Sequence, residues 1–250
     1  MHRFHLAPEN WESATLDESE SHHCLNVLRL EIGDRATVFD GQGREASALI
    51  DSKNGSRVVL KITAPAKTPP PPCAITLAQA VPKGKNMDLI VQKAVELGAT
   101  RVVPLLSDRT IVQLEADEIA KKREKWQAVA LEACKQCGQN HLPEIAAPVP
   151  PREFLERLDK KSLLLIASLQ PDARTLKEVL ADYSSQHGHL PGEVTVFVGP
   201  EGDFTPAEIA LAKSHGCQPI SLGPIILRTE TAAIYCLSVL AHELFTPVRA

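Results

Sequence analysis

The sequence predicts two domains, a small β-barrel over residues 1–72 and an α/β domain with a mostly parallel sheet over residues 73–250. Three observations predict it. Pro65-Ala66-Lys67-Thr68 runs into four consecutive prolines, Pro69 to Pro72, which can continue neither a helix nor a central strand and favour a stiff spacer. Before that break, short strand-like runs surround a glycine-rich hairpin signal. After it, apolar runs of strand length alternate with helical patterns, the rhythm of a parallel sheet with covering helices.

In the first domain, Arg35 to Phe39 and Glu45 to Ile50 flank Asp40-Gly41-Gln42-Gly43, and Arg57 to Ile62 makes a further strand. His22 to Leu30 has apolar spacing for one short helix with Leu25 and Leu28 facing inward. Gly41-x-Gly43-x-x-Ala46 meets a relaxed dinucleotide-binding pattern, but that mechanism needs the glycines to open a helix that receives a pyrophosphate. A strand pattern follows instead, so the glycines are read as a hairpin. In the second domain, strands are expected at Ala74 to Val81, Arg101 to Leu106, Ser162 to Ala167, Val194 to Val198 and Gln218 to Leu222. Helices are expected from Asn86 or Asp88 to Leu97, with Gly98 ending the helix, and from Glu115 to about Gly138. Three more fall at about 175–184, 206–215 and 230–245.

The chain has 250 residues, 44% apolar and 23% charged, enough to bury a core and too apolar for general disorder. With only 13 Gly and 6 Cys, collagen-like and disulfide-scaffold classes are excluded. No apolar run approaches the roughly 20 residues that cross a bilayer, and the first twenty residues turn polar and acidic, so a cytoplasmic protein is expected. Cys134-x-x-Cys137 with His141 beyond it lacks a second ligand pair and lies in a helical pattern, and His22 and His23 on one helix cannot both point at one ion. No metal is expected. The formal charge of −4 argues against indiscriminate polyanion binding, so any nucleic-acid contact must come from placed residues.

The chemistry concentrates after two strands. Val194 to Val198 leads into Gly199-Pro200-Glu201-Gly202-Asp203-Phe204-Thr205-Pro206-Ala207-Glu208, where Thr205 as N-cap, Pro206 and Glu208 spell a capping box. Glycines after a strand let a ligand approach the backbone at the carboxyl edge of the sheet. Ile220-Ser221-Leu222-Gly223-Pro224-Ile225-Ile226-Leu227-Arg228-Thr229-Glu230-Thr231-Ala232 repeats the theme, with a helix opening after Arg228. A cation gains nothing from the positive end of a helix, which favours a functional Arg228; pairing to Glu230 or Glu201 is the structural alternative.

These two segments resemble the RsmE family of ribosomal RNA methyltransferases in the SPOUT superfamily. Three further blocks agree in order: His22 to Leu30 with Phe39-Asp40-Gly41, Lys83 to Gly98, and Trp126 with Glu132 to Gly138. The resemblance implies a PUA-like first domain that binds RNA and a second domain closed by a trefoil knot. It implies a homodimer that takes S-adenosylmethionine and methylates N3 of a specific uridine in 16S ribosomal RNA, free or in the small ribosomal subunit. Asp203, Ile225 and Gln139 depart from the family pattern, in which glycine, arginine and arginine are expected.

Uridine N3 carries a proton and is a poor nucleophile until it leaves, so Arg228 is expected to stabilise charge developing on a uracil carbonyl oxygen. Glu230 or Glu201 would take the proton. Cofactor contacts are expected around Leu169, Gly199, Glu201, Gly202, Ile220, Leu222, Gly223 and Leu227, with core packing the alternative for Ile220, Leu222 and Leu227. RNA contacts are expected from Arg3, Asn26, Arg29, Lys83, Lys85 and Arg109. Two rival classes are an RNA-binding protein without catalysis and a nucleotide-binding α/β enzyme; against the second, no G-x-x-x-x-G-K-[ST] is present. Finally, Ala232 to Ala241 is apolar around nearly its whole circumference, which fits full burial in the monomer or a subunit contact, and the resemblance favours the contact.

Overall fold

A computed structural model of the chain describes residues 2–110, 116–158 and 162–245, apart from the side chains of residues 116 and 117. The chain clusters into two units, Met1–Pro70 with Leu131–Leu142, and Pro71–Ala130 with Pro143–Ala250. The expected boundary left residues 131–142 in the second domain. They join the first because its residues hold them: Glu20 pairs with Lys135 at 2.5 Å, the Gly43 amide donates to the Asn140 carbonyl at 3.0 Å, and Arg3 donates to the Asn140 side chain.

The first unit contains β1 (His2–His5), α1 (Glu18–His22), β2 (Arg35–Phe39), β3 (Arg44–Asn54) and β4 (Arg57–Lys67). The strands form one sheet in the order β1-β2-β3-β4, with β1 parallel to β2 and the other pairs antiparallel. Alternate residues point inward, as a pleated strand requires: Ala36 and Val38, then Ala46, Ala48 and Ile50, then Val58 and Leu60, packed with Phe4, Leu6 and Leu16. The hairpin at Asp40 to Gly43 is present, and its carboxylate orders it: Asp40 accepts from the Gln42 amide at 2.7 Å, the Arg44 amide at 2.9 Å and Arg44 Nε at 2.6 Å. Gly43, with φ +96°, has no room for a side chain, since a Cβ would lie 2.7 Å from the Thr68 carbonyl oxygen.

Two expectations for this unit are corrected. The helix expected over His22 to Leu30 is present in part: α1 passes at His22 into a π-helical turn over His23–Val27, and it ends before Leu30 because Arg29 takes φ +55°. A right-handed helix cannot pass through a left-handed residue. Conversely, β4 continues through Pro65 to Lys67, where the prolines were expected to end regular structure. It is the edge strand of the sheet, so a residue without an N–H is tolerated there.

The second unit contains β5 (Ala74–Ala80), α2 (Asn86–Glu96), β6 (Arg101–Leu105), α3 (Ala116–Cys137, whose last turns belong to the first unit), β7 (Glu144–Ile145) and α4 (Pro151–Glu156). There follow β8 (Leu163–Ala167), β9 (Arg174–Thr175), α5 (Leu176–His187), β10 (Glu193–Val198), α6 (Pro206–Ser214), β11 (Gln218–Ser221) and α7 (Thr229–Phe245). The predicted helix start at Glu115 lies outside the described residues. The seven strands run β7-β6-β5-β10-β8-β11-β9, every pair parallel. The late strands are inserted among earlier ones, β10 between β5 and β8, and β11 between β8 and β9. All five residues of β8 and residues 194–198 of β10 are buried, as expected of strands covered on both faces. Gly98 follows α2 with φ +80°, the left-handed turn that ends a helix.

The thiols at Cys73, Cys134, Cys217 and Cys236 are buried, and loss of solvation pushes each up to about 12. They behave as small core hydrophobes rather than nucleophiles. In α7, Ala232, Ala233, Cys236, Leu237, Leu240 and Leu244 are buried, whereas Thr231, Tyr235, Ser238 and His242 form an exposed stripe. Within Ala232 to Ala241, expected to be apolar around nearly the whole circumference, only Tyr235 and Ser238 belong to this stripe.

Candidate active site

A cavity of about 420 Å³ opens at the carboxyl ends of β8, β10 and β11. Its walls are the loops that follow those three strands, with Thr229 and Ala232 of α7 behind them. Parallel strands end with all their carboxyl termini on one edge, so three connections converge without any special loop geometry.

Local chemistry shapes each wall. A Cβ on Gly199 would lie 3.1 Å from the Phe204 amide nitrogen and from Asp203 Oδ1, so the loop folds tightly over a residue that must be small. Asp203 has φ +62°, a conformation that favours glycine, and its Oδ1 accepts from the Phe204 amide at 2.7 Å. The departure at Asp203 therefore keeps a left-handed turn and supplies a local hydrogen bond in return. Thr205, Pro206 and Glu208 form the predicted capping box. Glu208 also does what the sequence did not reveal: buried, it accepts from the Asp108 amide at 3.0 Å and so ties the loop after β6 to the start of α6.

Six residues expected around a cofactor, Leu169, Gly199, Glu201, Leu222, Gly223 and Leu227, line this cavity. Two do not. Ile220 is fully buried in β11, with its carbonyl accepting from the Ser168 amide at 3.0 Å, so it holds the neighbouring loop from below. Gly202 turns its carbonyl to Arg109. Ser168, Asp203 and Thr229 line the cavity without having been singled out for it. For Thr229 the available signal was a hydroxyl residue placed directly after Arg228 at a helix start.

Arg228 is exposed, and no ion pair to it is found among the described residues, so pairing to Glu230 or Glu201 is not realised. Its neighbours Leu227 and Thr229 both line the cavity; Arg228 and Glu230 do not. Glu201 accepts the Lys83 amide at 3.0 Å. Lys83 and Arg109 thus come together beside the Glu201-Gly202 turn, and the exposed Lys85 precedes α2. In the first unit Asn26 and Arg29 are exposed. Arg3 is not free: its side chain is 10% exposed, donates to Glu45 at 2.5 Å and to Asn140, and lies over the Phe39 ring at 4.3 Å.

Comparison with known proteins agrees with this layout. Residues 69–241 match the RNA methyltransferase domain family and residues 16–63 the RNA methyltransferase PUA domain. Ribosomal RNA small subunit methyltransferase E from Synechocystis is 35% identical over 240 residues, covering 95% of this chain and 76% of that protein. The Aquifex aeolicus protein of the same name is 30% identical, covering 97% of this chain and 100% of its own. Among solved structures, ribosomal RNA small subunit methyltransferase E from Neisseria gonorrhoeae bound to S-adenosylmethionine superposes with TM-score 0.84 at 33% identity, covering 97% of this chain and 98% of that one. A Legionella pneumophila methyltransferase with bound cofactor SAM gives TM-score 0.86 at 34% identity, with the same coverage.

Proposed function

This chain belongs to the ribosomal RNA small subunit methyltransferase E family, and we propose from that premise that its strand-end cavity holds S-adenosylmethionine and that it methylates N3 of one uridine in 16S ribosomal RNA. The observation that carries the reading is the cavity, whose three walls contain six of the expected cofactor residues beside an uncommitted arginine. The residues fit the cofactor. Leu169, Leu222 and Leu227 offer apolar surface, Gly199 and Gly223 leave backbone open, and the charged residues on the wall are Glu201 and Asp203, so a cationic sulfonium meets no like charge there. When bound, S-adenosylmethionine supplies the electrophilic methyl group.

The chain's own residues have three tasks. Arg228 presents a permanently charged donor fork to the uracil carbonyl oxygen on which negative charge develops as N3 loses its proton. Glu201 is engaged by the Lys83 amide, whereas Glu230 has no side-chain partner among the described residues, and we assign the N3 proton to Glu230. Lys83, Lys85 and Arg109 contact phosphates, with Asn26 and Arg29 serving the same purpose from the PUA-like domain. RNA affinity should fall as salt rises, with a slope set by the few phosphates that these cations neutralise, and removing any one of them should make the slope shallower.

The active form in this proposal is a cytoplasmic homodimer. Ile225 and Ile226, 72% and 77% exposed on the cavity loop, and the half-exposed Tyr235 of α7 support a protein surface that a second copy covers. Light scattering should give twice the 27.2 kDa monomer mass, and full activity at the monomer mass would contradict it. The insertion of β10 and β11 among earlier strands supports the knotted thread that the family resemblance implies.

The function itself is tested by incubating the protein with methyl-labelled S-adenosylmethionine and small ribosomal subunits lacking the modification, then digesting the RNA to nucleosides. The label should appear in 3-methyluridine. Label in another nucleoside, or none, contradicts the reading.

A further inference from the structure

Gln79 lies near the carboxyl end of β5, opposite Val198 of β10, and is wholly buried. Its Nε2 donates to the Ala80 carbonyl and to Thr229 Oγ1, both at 2.9 Å. The Thr229 hydroxyl in turn donates to the Gly199 carbonyl at 2.7 Å. The direction of this relay is fixed. A flipped Gln79 amide would set its oxygen against the Ala80 carbonyl, where neither atom has a proton. Because Thr229 gives its own proton to Gly199, it can only accept from Gln79.

The arrangement leaves Gln79 Oε1 buried without a partner. An unpaired buried acceptor is costly, and an apolar side chain of similar size would avoid that cost. Simple adhesion between β5 and α7 does not explain a glutamine here. The two atoms that the relay controls do: Gly199 and Thr229 are both on the cavity wall, and Thr229 directly follows Arg228.

We propose that Gln79 and Thr229 are positioning residues for methyl transfer, the Gln79 amide aiming the Thr229 hydroxyl at the Gly199 carbonyl and so setting Arg228 and the first turn of α7 against the Gly199 to Glu201 wall. Neither residue moves a proton or touches the reacting atoms in this role. It rests on the methyl-transfer reading. Misplacement of reacting groups by about an ångström costs on the order of a hundredfold in rate, so the relay's loss should register in turnover rather than in binding.

The test is steady-state methyl transfer to small ribosomal subunits by Gln79→Leu, Thr229→Val and Thr229→Ser, with the melting temperature of each. Gln79→Leu removes the unpaired Oε1 but also the donor to the Ala80 carbonyl and Thr229, so it should melt within a few degrees of wild type while kcat falls at least tenfold and KM for S-adenosylmethionine changes less than threefold. Thr229→Val should behave alike in kcat, and Thr229→Ser, which keeps the hydroxyl, should retain at least half of wild-type kcat. Wild-type kcat in Gln79→Leu overturns the proposal. So does a Thr229→Ser as impaired as Thr229→Val, or a loss of kcat that follows loss of melting temperature across all three. Failure of the underlying function would look different, with no transfer by the wild-type protein in the same assay.

Discussion

In the first domain, Arg3 sits on β1 with Glu45 at 2.5 Å, the Asn140 side chain on its other arm and the Phe39 ring 4.3 Å beneath its guanidinium. In the second, Arg228 precedes α7, exposed, with no ion-pair partner among the described residues, between two residues that line the cavity. The same side chain is an internal brace in one place and an open donor fork in the other. A charge enclosed by carboxylate, amide and ring has its electrostatic value realised on folding. A charge held at the positive end of a helix without a partner contributes little to the fold, and its value is realised when a developing anion arrives.

Three substitutions sharpen or break that contrast. The largest effect on stability belongs to Arg3→Ala, which removes the plate over Phe39 and the cation beside Glu45; with Glu45 a third exposed, about 2 kcal/mol should be lost. Arg228→Ala should change stability by no more than about 0.5 kcal/mol, the usual range for an exposed site. Urea titration measures both, and equal losses would break the comparison. Next, Gly223→Val puts a β-branched residue at φ +109°, where open space does not relieve backbone strain of about 1–3 kcal/mol. Its S-adenosylmethionine affinity by calorimetric titration should fall at least tenfold, and unchanged affinity would remove that loop from the site.

The smallest effect is one of pH. Burial alone would raise the Asp40 carboxyl, but the Arg44 guanidinium and the amides of Gln42 and Arg44 outweigh it and hold it below the ordinary carboxylate range. A depressed folded value contributes stability that is present above about pH 4 and lost as pH falls through the folded value. Asp40→Asn should therefore flatten the acid limb of the stability profile below about pH 4, and an unaltered limb would show that the hairpin carboxylate does not contribute.

The same two regions show what a sequence makes legible. The turn after β10 was readable because its determinants are neighbours: Thr205, Pro206 and Glu208 form a capping box within four residues. Six residues of the cavity wall followed from strand, glycine and helix start in succession. The fate of Arg3 was not readable, because its partners lie 42 and 137 positions away. For the same reason the clustering of residues 131–142 with the first unit was not visible, and Lys83 and Arg109 could be marked as cations but not placed beside Glu201 and Gly202. The short strands β7 and β9 have two residues each, too few for any periodicity to show.

Arg228 decides the account. Wild-type and Arg228→Ala proteins, saturated with S-adenosylmethionine and mixed with small ribosomal subunits in excess, should be followed through a single turnover of 3-methyluridine formation. If the open arginine stabilises the uracil anion, the variant's rate falls roughly 10²–10³-fold while its cofactor affinity stays within about threefold of wild type. A wild-type single-turnover rate in Arg228→Ala would contradict it.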